Sequence, residues 1–131
     1  MEWFAMKVLV LKTDERVTAS QIAAQRHNEI QITDIKRLIP GALAFYFPAK
    51  ISRLAYLYIM FAEKDADHRP VNRIASALLQ EEDAGVIRGD VVIARTDHLG
   101  IGAKFFSMED DEIQNVVERM TKILGHPIVS R

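Results

Sequence analysis

The sequence predicts an α+β fold: a mixed or antiparallel sheet of about four to five strands, with helices packed mainly on one face. Three observations carry this. Several short runs are rich in apolar, β-branched and aromatic residues, as strands buried on at least one face require. One segment near the C-terminus places apolar residues at helical spacing behind an acidic start, the pattern of an amphipathic helix. Strand-to-strand steps interrupt any regular βαβ alternation, which disfavours a doubly wound parallel sheet.

The elements follow in order. Residues 6–12 are apolar on both faces and read as a central strand, ended by the charged turn Thr13-Asp14-Glu15-Arg16. Residues 17–32 admit two readings. Val17, Ala19 and Gln21 alternate with polar neighbours, whereas residues 21–26 also suit a helix, and residues 29–32 alternate again as a short strand. Thr33 and Asp34 look like a helix start, with Ile35, Leu38 and Ile39 at helical spacing and Pro40-Gly41 as the stop. Residues 42–47 and 54–61 read as two strands forming a hairpin, with aromatic residues for cross-strand packing. A charged loop at 63–69 leads to a helix opened by Pro70 or Asn72, with Ile74 and Leu78 on one face. Residues 90–95 form another apolar strand, preceded by Gly89 as a bulge or turn. The final helix is expected to open on Ser107, paired with Asp110 in a variant capping box. Its stripe is Ile113, Val116, Val117, Met120, Ile123 and Leu124, and it closes at Gly125 ahead of Pro127.

With 131 residues and 49% hydrophobic composition, the chain reads as a single domain over residues 1–131, its core spanning about 6–124. The formal charge of -1 argues against a dedicated nucleic-acid binder, which carries a basic footprint. The absence of cysteine excludes thiolate zinc sites, iron–sulfur clusters, disulfides and a cysteine nucleophile. Neither a signal peptide nor an apolar run of spanning length is found, so no membrane association and a cytoplasmic location are expected.

No catalytic motif is assembled. Asp97 and His98 follow a buried strand, where an adjacent carboxylate can raise a histidine's pKa, and they are the candidate catalytic pair. Neighbours on a strand point to opposite faces, however, and a polar turn explains them as well. Asp65, Asp67 and His68 offer oxygen and imidazole ligands to a metal, but they lack calcium-loop spacing and fit a solvated turn. Gly100, Gly102 and Lys104 superficially resemble a phosphate loop without its G-x-x-x-x-G-K-[ST] pattern. Trp3 is a candidate partner anchor, and Tyr46, Tyr56 and Tyr58 a candidate aromatic platform.

The segment order resembles a small domain-of-unknown-function family of phage, plasmid and microbial proteins. The resemblance runs through the strand at residues 6–11, the short helix at 34–39 and the strand pair. It continues through the Asn72-led segment, the strand at 89–93, and the Ser107-Met108-Glu109-Asp110-Asp111-Glu112 helix start, over about residues 6–124. Residues 17–31 depart from it. It brings no established activity and no catalytic residues, and points to Asn72 and Asp97 as polar positions of interest; no cofactor is expected. The function expected is an accessory module that binds a protein partner or small ligand and self-associates as a homo-oligomer. Asn72, Trp3 and Tyr58 are its candidate contacts. The alternatives are a small metal-dependent or acid/base hydrolase using Asp97/His98 with Asp67/His68, and a single-stranded nucleic-acid binder.

Overall fold

Residues 4–11 alternate so that Val8 and Val10 face one side while Leu9 and Leu11 face the other, all buried. Such a strand needs apolar cover on both sides, and this requirement organises the molecule. In the computed structural model, which describes residues 3–52, 56–79 and 85–130, the strand β1 (Phe4–Leu11) lies inside a single sheet. The other strands of this sheet are β2 (Arg16–Ala24), β3 (Leu43–Tyr46), β4 (Leu57–Glu63), β5 (Val91–Thr96), β6 (Phe105–Phe106) and β7 (Val129–Ser130). The spatial order is β3-β4-β5-β1-β2-β7, with β6 paired to β5 off this path. Every pairing is antiparallel except the two-residue parallel contact of β2 with β7.

β1 and β5 pair only over Leu9–Leu11 and Val91–Ile93, then splay apart. β6 enters the split, pairing Phe105 and Phe106 with Thr96 and Arg95. Two bonds tie the residues just after it to β1: the Lys7 amide donates to Ser107 Oγ at 2.8 Å, and the Met108 amide to the Lys7 carbonyl at 2.9 Å. Ser107 is therefore a strand clamp and not the helix cap expected of it. The cap of α3 (Asp110–Leu124) is Glu109, whose amide donates to Glu112 Oε1 at 2.9 Å. The capping box lies two residues further along, because Ser107 is held by β1. Likewise α1 (Ile32–Ile35) is capped at Gln31, whose amide donates to the Asp34 carboxylate at 2.8 Å, and not at Thr33.

Residues 17–24 take the strand reading: β2 matches β1 residue for residue from Phe4↔Ala24 to Leu11↔Val17, and long-range pairing overrides local helix propensity. The short strand expected at 29–32 reduces to one bridge, Ile30 to Phe105. The hairpin of β3 and β4 forms as expected. β4 runs to Glu63, and residues 54 and 55 of the expected strand lie outside the described residues. α2 (Arg73–Ala77) stops two residues short of the expected Leu79.

The helices divide between the two faces. Ile74 and Leu78, from α2 and its C-cap, and Ile113, Val116 and Met120 of α3 pack with Leu9, Leu11, Tyr58, Met60 and Ile93. On the opposite face, Ile35 of α1 packs with Val8, Val10, Phe61, Val92 and Ala94, joined by Ile30 and Ile39 from the flanking turns. The expectation of helices mainly on one face omitted this second core, which the two-sided burial of β1 and β5 demands. Among the described residues, no helix is long and apolar enough to cross a membrane.

Candidate functional site: an apolar groove on the second sheet face

The two candidate Asp–His pairs stand at opposite ends of the sheet. In the β4–β5 register, Leu57 opposes Thr96 and Phe61 opposes Val92. The turn after Thr96, holding Asp97 and His98, therefore lies near the start of β4, and the turn after Glu63, holding Asp65, Asp67 and His68, lies past its far end. A seven-residue strand separates them by roughly 20 Å, so the four groups do not converge.

Asp97 and His98 instead hold their own loop closed. Asp97 Oδ1 accepts the Lys104 amide at 2.8 Å and lies 3.1 Å from His98 Nδ1. His98 Nε2 lies 3.1 Å from the Ile101 carbonyl. The hydroxyl of Thr96 reaches the carbonyls of His98 and Lys104, both at 2.9 Å. The Lys104 amide holds the Asp97 carboxyl below its ordinary value, with the adjacent His98 acting in the same direction. This is the chemistry of a stapled turn, which Gly100 and Gly102 permit by adopting φ of +111° and +83°.

Asp65 and Asp67 border a shallow polar hollow of about 180 Å³ beside Glu63 and Arg88, and His68 is exposed. Among the described residues, no three His, Asp or Glu side chains are grouped to hold a metal ion.

Asn72 is fully buried and turned entirely toward main chain. Its Nδ2 donates to the carbonyls of Leu11 and Gly89, each at 2.9 Å, and its Oδ1 accepts the Ala75 amide at 3.1 Å. It caps α2 and ties that helix to β1 and to the turn before β5, leaving no bonding capacity at the amide nitrogen for a ligand. Tyr58 is buried against α3, its hydroxyl donating to Glu112 Oε2 at 2.7 Å. Glu112 is itself buried and lies 3.6 Å from Arg95, whose guanidinium stands 4.8 Å from the Tyr56 ring centroid. Burial, and then the bond to the Glu112 carboxylate, push the Tyr58 phenol well above its ordinary pKa. The three tyrosines form no common platform: Tyr58 is inside, while Tyr56 is exposed beneath Arg95. Trp3 is 46% exposed, with Arg37 5.0 Å from its ring centroid.

What the structure assembles is apolar. Phe45, Phe61 and Phe105 stack edge to face across β3, β4 and β6, with centroid separations of 5.5 and 5.0 Å. Above them opens a groove of about 490 Å³, lined by Phe45, Ile59, Phe105, Ile32, Ala103 and Ile101, with His98 at its edge. The Asp97 staple forms one wall. α1, four residues long, covers the neighbouring part of this face and reaches the groove only with its first residue, Ile32. Sequence reasoning missed the site because its residues come from four separate segments. The one local signal was Ile101, a β-branched apolar residue in a glycine turn, which is fully solvent-exposed.

A second hollow, about 360 Å³, is bounded by Thr13, Leu38, Glu63, Arg69 and Asp90. Its charges are paired: Arg69 with Glu63 at 3.0 Å, and Lys12 with Asp90 at 3.2 Å.

The fold and groove define a class: an antiparallel α+β sheet, filled on both faces, with an open apolar patch at one end. In comparisons with known proteins, no family model, curated protein or solved structure matches the chain.

Proposed function

We propose that the chain is a binding module whose ligand is a small, largely apolar molecule held in the groove over Phe45, Ile59 and Phe105. The observation that carries this is the groove itself: its volume of about 490 Å³ falls in the range of small-molecule sites, and its walls are aromatic and aliphatic. A pre-stacked aromatic floor and a stapled wall reduce the ordering cost of binding. A hydrolytic role draws no support from the separated Asp–His pairs, nor does a nucleic-acid role from the dispersed tyrosines. The resemblance to the domain-of-unknown-function family is compatible with this reading and adds no residue to it.

The test is titration with the uncharged apolar fluorophore N-phenyl-1-naphthylamine, followed by amide chemical shifts. Saturable one-to-one binding with shifts centred on Ile32, Ile59, Ala103 and Phe105 is expected. Ala103→Glu sets a charge on the wall and should weaken it at least tenfold, as about 1.4 kcal/mol or more. Shifts scattered over the surface, or binding indifferent to Ala103→Glu, would overturn the reading.

A further inference from the structure

Among the described residues, β3 is a terminal strand of the sheet, and its outer side has no partner in the order β3-β4-β5-β1-β2-β7. Its backbone phase is fixed by one bond. The Lys64 amide donates to the Ala42 carbonyl at 2.9 Å, and in the β3–β4 register residue 42 faces residue 64. Directly opposed residues in an antiparallel pair alternate between bonded and non-bonded. Ala42, Ala44 and Tyr46 therefore turn their amides and carbonyls toward β4, and Leu43 and Phe45 turn theirs outward.

The same residues carry apolar side chains. Phe45 is 52% exposed and Phe47, two residues on, is 37% exposed. No charged residue occurs from Gly41 to Ala49. Edge strands that avoid pairing are short or carry charges, proline, bulges or a cover; β3 is short, with Pro48 beyond its end, but over Leu43–Tyr46 it has no charge and no bulge and, among the described residues, no strand on its outer side. The opposite edge is different. β2 pairs with β7 at Arg16 and Val17, Arg37 donates to its Ala23 carbonyl at 2.5 Å, and its exposed positions include Arg16 and Gln21.

We propose that β3 pairs antiparallel with β3 of a second copy of this chain, about a two-fold axis through Phe45. That register is self-complementary. Phe45 opposes Phe45 of the second copy and exchanges both of its outward bonds with it, and Leu43 falls opposite Phe47 in both directions. Period-2 geometry puts Leu43 and Phe45 of both copies on one face, so each copy buries at the axis the Phe45 that it exposes alone, with Phe47, one residue past the strand's end, beside Leu43 of the second copy. An uncharged strand meets its own copy without like-charge repulsion, the condition an isologous contact imposes. A second copy is favoured over a foreign strand because the apolar ladder complements itself and offers no charge for a charged partner to read. The two sheets would become continuous, with their apolar grooves on the same face.

Sedimentation equilibrium of the full chain, from about 1 μM to about 1 mM, measures the association by mass action. A reversible monomer–dimer equilibrium is expected. Phe45→Lys, which sets two charges against each other at the axis, should raise the dimer dissociation constant at least tenfold, while Gln21→Lys on the other edge leaves it unchanged. Hydrogen exchange gives the register independently of any variant. The amides of Leu43 and Phe45 should exchange more slowly as concentration rises, while those of Ala44 and Tyr46 stay protected throughout. A chain that remains monomeric, a dimer insensitive to Phe45→Lys, or a dimer whose Leu43 and Phe45 amides exchange at the monomer's rate would each overturn the proposal. The Ala103→Glu variant leaves the edge intact, so loss of probe binding and loss of dimer are separately readable.

Discussion

The two faces of the sheet are built from the same strands and end differently. On one, α3 lays fifteen residues, about 22 Å of helix, across the strands, and its stripe Ile113, Val116 and Met120 is buried. On the other, α1 supplies four residues, about 6 Å, and Phe45 and Ile101 remain in solvent. The difference teaches that cover, and not strand composition, decides where a site can form. β4 and β5 are apolar on both sides, and among the described residues the open apolar groove lies on the side without a long helix. The polar groups follow the same division: the buried Tyr58–Glu112 bond and the Arg95 contact lie under α3, whereas Asp97 and His98 edge the groove in solvent.

The strongest way to break the comparison is to place a carboxylate on each face. Val116→Asp buries a charge with no partner and should cost at least about 4 kcal/mol, enough to unfold much of the population. Phe45→Asp, on the half-exposed side, should cost no more than about 1 kcal/mol. Denaturant unfolding of both variants measures the gap; comparable losses would show that the second face is as closed as the first.

Asn72→Ala should follow at about 3 kcal/mol, because it removes a helix cap and leaves two buried carbonyls without their donor. The same unfolding curve reads it, and a near-neutral result would show that Asn72 is dispensable for holding α2. Tyr58→Phe should cost about 1.5–3 kcal/mol through loss of a bond to a charged acceptor. It also carries a pH signature. A tyrosine whose folded pKa is raised contributes stability that is complete below its unfolded value, about 10, and is lost as pH rises above it. The wild-type protein should therefore lose stability in base more steeply than Tyr58→Phe, and its phenolate absorbance should show Tyr58 still protonated where a free tyrosine ionises. Parallel pH profiles would break the assignment.

Much of the sealed face was legible. The helical stripe of α3, its acidic first turn and Gly125, with φ of +76°, are local patterns written in adjacent residues. Gly125→Ala should cost about 1–2 kcal/mol for the left-handed conformation. The hairpin and the apolar strands were equally local. The open face was not legible, because Ile32, Phe45, Ile59, Ala103 and Phe105 share no periodicity and meet only once β6 has entered the β1–β5 split. For the same reason Ser107 was misassigned: the sequence shows a capping residue, while its partner, the Lys7 amide, lies 100 positions away. Asn72 was one of the two helix openers expected, and its bond to the Ala75 amide is that local cap; its other main-chain partners, the carbonyls of Leu11 and Gly89, come from other segments of the chain and were not legible.

The smallest expected effect concerns the wall of the groove. Asp97 is exposed, so its bond to the Lys104 amide shapes a loop more than it stabilises a fold. Its carboxyl is held below the ordinary value, so the sign is that of a depressed acid: the closed loop is favoured above about pH 4 and loosens as pH falls through the folded value. Lys104 and Ile101 amide shifts should move together over that acidic range while Val116 and Met120, on the far face, do not. Asp97→Asn keeps one acceptor oxygen but loses the charge, so it should abolish this pH response with little change in the melting temperature. If the variant instead lowered the melting temperature as much as Asn72→Ala does, the loop would be part of the core, and the contrast between a structural face and a binding face would fail at the point where the groove is walled.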